Sequence, residues 1–208
     1  MNREILAGRT LLFASSVRPG RMNDRVLKLA ERRLVLKGHS VTVVDPLHWK
    51  LPLLVNPWHF YANPVEQAPK QLKDLFELVN SAERLIFTTA EYNRSIPPAL
   101  SNLIDHLPHS AYAFKPTGII AYSAGSGGQL SAAQLRLMLS DLGCLVVPHH
   151  VVISNVEHKI SVDGEPSGSK TILGEVDLMI DQVEYIGNAI KCSHTSTCAE
   201  PPKVHSYL

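Results

Sequence analysis

The chain has 208 residues, of which 45% are hydrophobic and 19% are charged, and its formal net charge is +1. This length suits one sizeable α/β domain, and the near-neutral charge argues against binding to nucleic acid or to an anionic membrane surface. No apolar run approaches the ~20 residues that a membrane-spanning helix needs. The three cysteines suggest no disulfide framework, and the first residues lack the pattern of a signal peptide, so we expect a reduced, cytoplasmic protein.

The first βαβ unit is predicted between residues 10 and 45. Residues 10–14 form a continuous apolar run, which is typical of a strand buried on both faces. After a polar break, the apolar residues from 26 to 34 recur at helical spacing, and Gly38 follows where a C-terminal cap would lie. Residues 40–45 are rich in valine and predict the second strand.

Residues 46–69 form the least regular part of the sequence, rich in proline and aromatic residues. So long a connection inside a compact domain is unusual and is often functional. Two interpretations stay open. Exposed aromatic side chains here would suit a subunit interface or the wall of a pocket, whereas a loop packed on its own domain would bury them.

The remaining sequence alternates between helical and strand patterns, with no internal repeat. Five alternating strands predict a mostly parallel sheet with right-handed crossovers, and the best single order is the flavodoxin-like 2-1-3-4-5 with helices on both faces. The domain is expected to span 1–191, with a flexible tail at 192–208. The predicted helices are 72–79, 100–107, 135–142 and 176–190, and the predicted strands are 85–89, 117–122 and 144–148, the last continuing through 151–153.

In that strand order, the loops after strands one, three and four open onto one crevice, where open α/β sheets bind ligands. The loop after strand one offers hydroxyls, guanidiniums and an amide at the start of a helix, which suits a phosphate dianion. It is neither a Walker loop nor a GxGxxG fingerprint. A plain helix cap with solvated arginines is the alternative. The residues concerned are Ser15, Ser16, Arg18, Arg21 and Asn23.

The loops after strands three and four complete the crevice. The first is dense in polar and aromatic side chains, and the second is rich in glycine, whose backbone can come close to a flat ligand. As an alternative, the first could merely cap a βα connection, since Pro97 and Pro98 suit the first turn of a helix. The candidate binding residues are Ala90, Glu91, Tyr92, Asn93 and Arg94 in one loop, and Ser123, Gly125 and Gly128 in the other.

Three motifs in these loops give a specific resemblance, running in order from about residue 11 to residue 152. Together they resemble the NADPH-dependent FMN reductase family, although each motif alone is modest. The motifs are Ser16-Val17-Arg18, then Glu91-Tyr92-Asn93-x-Ser95-x-Pro97-x-x-Leu100-x-Asn102-x-x-Asp105, and then Ser123-x-Gly125-x-Gly127-Gly128 followed by Gln134-Leu135-Arg136.

The resemblance implies a flavodoxin-like fold, non-covalently bound FMN, NADPH as cosubstrate, and a homodimer or homotetramer. It implies that Ser16, Arg18 and Asn23, with Arg21 beside them, hold the FMN phosphate. It places Glu91, Tyr92 and Asn93, flanked by Ala90 and Arg94, along the isoalloxazine ring, and Ser123, Gly125 and Gly128 on its other side.

The sequence also departs from the family pattern. Ser15 stands where the family has a glycine, and Ala90 replaces a common proline. Arg94 stands where a small or aromatic residue is usual, and a cation beside the flavin would favour an anionic reduced flavin or an anionic substrate. None of these changes removes a group that the site needs.

The implied activity is a ping-pong oxidoreductase that takes hydride from NADPH onto FMN and then reduces a quinone, azo compound or similar small acceptor. Because the cofactor carries this chemistry, no residue is nominated as a catalytic acid or base. The alternative is an FMN-containing electron-transfer or regulatory protein with little NADPH turnover. A shuttle of that kind would be expected to show an acidic docking face, which the near-neutral charge disfavours.

Metal and hydrolase chemistry are weaker alternatives. The histidine pairs His106/His109 and His149/His150 lack an HExxH or CxxC frame, so structural roles are favoured over metal binding. The Gly-x-Ser-x-Gly nucleophile elbow is absent near Ser123.

Overall fold

The computed structural model describes residues 8–168 and 170–195. Its strands are β1 (Arg9–Phe13), β2 (Ser40–Val44), β3 (Arg84–Ala90), β4 (Pro116–Tyr122), β5 (Leu145–Val146) and β6 (Val151–Ile153). They form one parallel sheet in the order β2-β1-β3-β4, with β5 and β6 both paired to β4. The predicted flavodoxin-like order 2-1-3-4-5 is confirmed.

The predicted fifth strand is interrupted. β5 pairs with the start of β4 at Pro116 and Thr117, whereas β6 pairs with its end, up to Tyr122. Pro148 lies between the two pieces, and the N–H of His149 donates to Oε1 of Gln182 in the last helix at 2.9 Å instead of to β4. The chain therefore leaves the sheet after β5 and returns as β6 beside the C-terminal end of β4.

The helices form the two outer layers. Within the described residues, none is both long and apolar enough to cross a bilayer. The longest, α9, continues into the segment predicted as a tail, and residues 196–208 of that segment lie outside the described part. The helices are α1 (Asn23–Leu36), α2 (Pro46–Trp49), α3 (Pro64–Gln67), α4 (Lys70–Asn80), α5 (Pro98–Asp105), α6 (His109–Tyr112), α7 (Gln129–Asp141), α8 (Val156–Lys159) and α9 (Lys170–Thr195).

Apolar cores lie on both faces of the sheet. One core joins the sheet to α4, α5 and α7, and the other joins it to α1 and α9. Every residue of the central strands β3 and β4 is buried, as their continuous apolar runs predict. Phe13 and Phe87, from neighbouring strands, stack with their ring centroids 4.2 Å apart. This double packing fixes the edge of the sheet from which the candidate loops emerge.

The irregular segment 46–69 is held against the domain. Trp58 stacks on Phe76 of α4 with the ring centroids 4.1 Å apart. The side-chain oxygen of Asn102 on α5 accepts a hydrogen bond of 2.8 Å from the backbone N–H of Leu54. The segment therefore packs part of its aromatic content on its own domain, which was one of the two interpretations left open by the sequence.

A buried arginine fixes α9 to the N-terminal end of the sheet. Arg84 is 1% exposed, and its Nη2 donates to Oδ1 of Asn188 on α9 at 3.0 Å. Gly187 leaves room for the guanidinium, because a Cβ there would stand 2.7 Å from the Arg84 Nε. Gly174, on the same helix, is exposed and faces open space.

This contrast predicts opposite effects of two Gly→Ala substitutions in α9. Gly187→Ala is expected to lower the free energy of unfolding by about 1–3 kcal/mol, because the new methyl group overpacks a buried, immobile guanidinium. Gly174→Ala is expected to raise it by about 0.5–1 kcal/mol, because alanine favours a helix and nothing obstructs its side chain. Urea unfolding followed by circular dichroism measures both. Equal stabilisation by the two variants would contradict the packing around Arg84.

Candidate functional site

Three loops meet at the C-terminal edge of the sheet. They are the first loop (residues 14–22, after β1), the second loop (91–97, after β3) and the third loop (123–128, after β4). The Ala90 N–H, at the end of β3, donates to Ser15 Oγ at 3.1 Å. The Glu91 N–H donates to the carbonyl of Tyr122 at 3.0 Å. These bonds bring the three predicted loops together into one groove.

Asn23, the first residue of α1, shapes the first loop from beneath. Its Oδ1 accepts hydrogen bonds from the backbone N–H groups of Ser15 (2.6 Å) and Ser16 (3.1 Å), and its Nδ2 donates to Thr88 Oγ1 at 2.7 Å. The Asn23 side chain is fully buried. Its amide therefore holds the first loop against β3, while its own polar atoms face inward.

Arg21 anchors the first loop to the end of β2. Its Nη1 and Nη2 pair with the two carboxylate oxygens of Asp45 at 2.8 and 2.5 Å, and its Nε donates to Asp24 at 2.8 Å. Nη1 also donates to the Ser16 carbonyl at 2.5 Å. Burial opposes ionisation of Asp45, but the pairing with Arg21 outweighs it and lowers the Asp45 pKa. The hydrogen-bond donors of Arg21 are thus occupied by Asp24, Asp45 and the Ser16 carbonyl.

Ser16 and Arg18 are the groups of the first loop that face the second loop. Ser16 Oγ lies 2.6 Å from the Tyr92 hydroxyl. The exposed Arg18 side chain stacks on the Tyr92 ring, with Cζ 3.5 Å from the ring centroid. Among the described residues, no carboxylate lies within ion-pair distance of Arg18. A cation left without an acidic partner beside the N-terminus of a long helix suits an anionic ligand.

The second loop is a tight turn with two residues in left-handed conformation. The backbones of Tyr92 and Ser95 exchange hydrogen bonds of 2.8 and 3.0 Å, and φ is 52° at Asn93 and 67° at Arg94. Asparagine adopts this region readily, whereas arginine does so at a cost. Gln134 on α7 accepts hydrogen bonds from Ser95 Oγ (2.8 Å) and from the Ile96 N–H (3.0 Å). The exposed tip of the turn is therefore held firmly at its base.

Glu91 links the second loop to the start of α7. One carboxylate oxygen accepts backbone hydrogen bonds from Gly128 (2.8 Å), Leu130 (3.0 Å) and Ser131 (3.2 Å). Desolvation opposes ionisation, but these N–H groups outweigh it and hold the Glu91 pKa below its usual value. Gly128 has φ of 118°, and a Cβ on Gly127 would collide with the carboxylate. The glycines of the third loop therefore admit the Glu91 side chain.

The rest of the third loop is fixed to the neighbouring strand. Ser123 Oγ donates to the Gly125 carbonyl at 2.7 Å, and the same carbonyl accepts from the Asn155 N–H at 2.7 Å. The Ser123 N–H donates to the Ile153 carbonyl at 3.1 Å. Gly125 itself is exposed, and a side chain there would meet open space. The third loop thus presents mainly backbone to the groove.

Two further residues of this site, Asp45 and Tyr122, were missed by sequence reasoning, and Gln134 was recognised only as part of the third motif, without its contacts to the second loop. Asp45 and Gln134 act through contacts with residues far away in the chain, which no local pattern predicts. Tyr122 ends β4, and its hydroxyl is buried without a hydrogen-bond partner among the described residues. It lies near Ser15 and Tyr92, and burial raises its pKa.

The predicted histidine pairs do not gather into a metal site. His106 bonds through Nδ1 to the Asn102 carbonyl at 2.6 Å, and His149 lies 2.9 Å from Glu175. Across residues 8–168 and 170–195, no three His, Cys, Asp or Glu side chains are grouped to hold a metal ion.

The Glu91 cap predicts a loss of stability on its removal. Glu91→Ala is expected to lower the free energy of unfolding by about 1–2 kcal/mol at neutral pH, because N–H groups at the start of α7 lose their acceptor. Since the folded-state pKa is lowered, the contribution is complete above the ordinary value of 4.5 and is lost as the pH falls through the folded-state value. Urea unfolding at several pH values measures it, with Glu77→Ala, an exposed acid on α4, as control. Equal losses in the two variants at neutral pH would contradict the cap.

The chain is similar in sequence to a curated flavin-dependent enzyme. An FMN-dependent NADPH-azoreductase of Staphylococcus aureus is 28% identical over 100 residues, which is 48% of this chain and 53% of that protein. The chain thus spans about half the length of the curated relatives it matches.

Solved structures share the fold at low sequence identity. The flavoenzyme NAD(P)H:(acceptor) oxidoreductase FerB of Paracoccus denitrificans superposes with a TM-score of 0.68 at 21% identity, over 86% of this chain and 98% of that chain. The NAD(P)H:quinone oxidoreductase of Methanothermobacter marburgensis gives a TM-score of 0.56 at 13% identity, over 89% and 98%. These similarities support the flavodoxin-like fold.

The match to a whole protein family is broader than any of the pairwise sequence matches. The model of the family described as NADPH-dependent FMN reductase matches residues 9–158. That range contains all three loops and the sheet from β1 to β6. The chain therefore belongs to the NADPH-dependent FMN reductase family.

Proposed function

We propose that the chain binds FMN without a covalent bond in the groove between the three loops, and that it uses NADPH to reduce small acceptors. The observation that carries this proposal is the position of Ser16 and Arg18. They lie in the loop that leads into α1, against Tyr92 of the second loop, and the Ser16 N–H bonds to Asn23 at the start of that helix. Membership of the reductase family supports the same cofactor and cosubstrate.

Phosphate binding in this proposal is divided between contacting and supporting groups. Ser16 and Arg18 would contact the FMN phosphate, because a hydroxyl and a guanidinium at a helix N-terminus provide charge-assisted hydrogen bonds. The resemblance implies Asn23 and Arg21 for the same phosphate. In the structure their polar atoms bond to the backbone of the first loop and to Asp45, so they would act on the phosphate indirectly, by holding the loop in place.

The flavin ring would lie between the second and third loops. Asn93 and Arg94 form the exposed tip of one wall, and Ser123, Gly125 and Gly128 form the other. Ala90 and Glu91 would set the spacing between the walls, because Ala90 is bonded to the first loop and Glu91 to the third.

When bound, the flavin would supply the redox chemistry, accepting a hydride from NADPH and returning two electrons, with protons, to an acceptor. We propose that NADPH and the acceptor use the same face of the flavin in turn, which is a ping-pong order. Quinones and azo compounds are the proposed acceptors, in line with what the similar proteins' names state. The Arg94 guanidinium at the exposed tip would favour an anionic acceptor. We also propose a cytoplasmic location.

The proposal predicts a yellow protein that oxidises NADPH in the presence of a quinone. Arg18→Ala is expected to weaken FMN binding by about 1.5–3 kcal/mol, the range for a charge-assisted hydrogen bond. Titration of FMN fluorescence measures the dissociation constant, and absorbance at 340 nm follows NADPH. Arg32→Ala provides the matched control, because Arg32 lies on α1, which follows the first loop, and pairs with Glu165 away from the three loops.

The outcomes distinguish a reductase from an FMN-containing electron-transfer or regulatory protein. A protein that takes up no FMN would contradict the proposal altogether. A protein that binds FMN but does not oxidise NADPH would instead support an electron-transfer or regulatory role. An unchanged FMN affinity in Arg18→Ala would show that the phosphate binds elsewhere.

We further propose that two or four copies of the chain associate through segment 46–69. Leu53, Val55, Phe60 and Val65 are each at least 65% exposed. Leu53 also lines a cavity of 410 Å³ beside α5. Large apolar side chains exposed together on one surface segment are typical of a subunit interface.

Substitution within this segment is expected to dissociate the oligomer. Val55→Asp with Phe60→Asp should shift the molar mass from a multiple of 22.9 kDa to that of a monomer, because association would bury unpaired carboxylates. Light scattering after size-exclusion chromatography measures this mass. Val35→Asp with Leu36→Asp, on the exposed face of α1, is the control. A wild-type monomer, or equal effects of both pairs, would contradict the proposed interface.

A further inference from the structure

Tyr92 contacts both groups of the first loop that are expected to face a phosphate. Its hydroxyl lies 2.6 Å from Ser16 Oγ, and its ring lies under the Arg18 guanidinium at 3.5 Å. The resemblance implied a different role, in which Tyr92 lies along the flavin ring. In the structure, the Tyr92 side chain contacts two groups of the first loop, the Ser16 hydroxyl and the Arg18 guanidinium.

The stacking leaves the hydrogen-bonding edge of Arg18 free. A guanidinium that lies over an aromatic ring uses its flat face for the cation–π contact, whereas its N–H donors project in the plane of the group. Among the described residues, no hydrogen bond or ion pair engages the Arg18 guanidinium. The phenyl ring thus limits the freedom of a long, exposed side chain without using the donors that a phosphate would accept from.

The bond to Ser16 has a similar consequence. Ser16 Oγ accepts a hydrogen bond from the Arg18 N–H at 3.3 Å, and it lies 2.6 Å from the Tyr92 hydroxyl. A serine hydroxyl has two acceptor positions and one donor. If Tyr92 donates to Ser16, both acceptor positions are filled, and the hydroxyl hydrogen of Ser16 must point elsewhere. Ser16 is fully buried in the structure, and this hydrogen is the donor that it would offer to a phosphate oxygen that reached it.

Tyr92 itself is held in place by its surroundings. Its ring packs against the core formed with α1 and α9, and its backbone N–H and C=O both bond to Ser95. Its neighbour Glu91 is bonded to α7, so the chain on that side is also fixed. A ring supported in this way acts as a fixed platform for the side chains of Ser16 and Arg18.

We propose that Tyr92 is a positioning residue that orients Ser16 and Arg18 toward a flavin phosphate, and that it thereby makes the chain select FMN over unphosphorylated riboflavin. This inference rests on the proposed function, because it assumes the same groove and the same phosphate position. It assigns Tyr92 to the phosphate end of the ligand, through Ser16 and Arg18, with no direct contact to the ring required.

The test compares FMN with riboflavin, which share the ring system and differ in the phosphate. Tyr92→Phe is expected to weaken FMN binding about 3- to 10-fold, from the lost hydrogen bond, and Tyr92→Leu about 10- to 50-fold, since the cation–π contact is lost as well. Riboflavin binding should change less than about twofold in both, because neither contact acts on the ring. Fluorescence titration measures both dissociation constants, and Tyr185→Leu, on the exposed side of α9, is the matched control.

A double-mutant cycle with Arg18 gives a readout that a purely structural role would not move. Because the ring acts partly through Arg18, Tyr92→Leu should weaken FMN binding less in an Arg18→Ala background than in the wild type. Thermal unfolding of each variant shows whether it is folded, and Tyr92→Phe retains the packing of the ring.

Equal weakening of FMN and riboflavin would overturn the proposal and return Tyr92 to the flavin ring. Unchanged affinity for both ligands, or strict additivity with Arg18→Ala, would overturn it as well. Wild-type protein that binds neither flavin would instead refute the proposed function, so the two failures are distinguishable.

Discussion

The buried side-chain amide of Asn23 is the interaction on which the groove depends. Its oxygen accepts hydrogen bonds from the backbone N–H groups of Ser15 and Ser16, and its nitrogen donates one to the hydroxyl of Thr88 on β3. In doing so it satisfies donors that would otherwise be buried without partners where β1 ends. The first loop consequently has one defined path from the sheet to α1, and the groups that follow along it are placed by that path.

Most polar side chains of the site hold the loops in place and are not left to contact a ligand. Four of them form hydrogen bonds with the loops or with the residues beside them: Arg21, Asn23, Glu91 and Gln134. What remains at the surface is the Arg18 guanidinium and backbone, while the Ser16 hydroxyl is buried against Tyr92. This division is physically reasonable, because a ligand bound by groups that are already fixed loses less free energy to ordering them.

Much of this arrangement could be predicted from the sequence. Buried apolar runs identified the central strands, and polar or glycine-rich breaks marked the loops after strands one, three and four. These patterns are local, so they can be recognised without knowledge of the fold. The strand order followed from the alternation of elements and was confirmed.

What the sequence could not predict depends on contacts between distant residues. The carboxylate of Glu91 turns toward α7, and Arg21 finds its partner in Asp45 at the end of another strand. Each side chain is oriented by a partner that lies far away in the sequence. The last strand is interrupted at Pro148, although its neighbours carry a strong strand pattern, because the His149 N–H donates to Gln182 on α9 rather than to β4. The sequence also left open how segment 46–69 packs, since aromatic content alone does not distinguish burial from exposure.

The central claim is that the three loops form one flavin site with its phosphate end at the first loop. A crystal structure of the chain grown with FMN measures this most directly. We predict phosphate density within hydrogen-bond distance of Ser16 Oγ and the Arg18 guanidinium, with the ring between the second and third loops. Flavin density outside the groove, or a phosphate directed away from the first loop, would contradict the account.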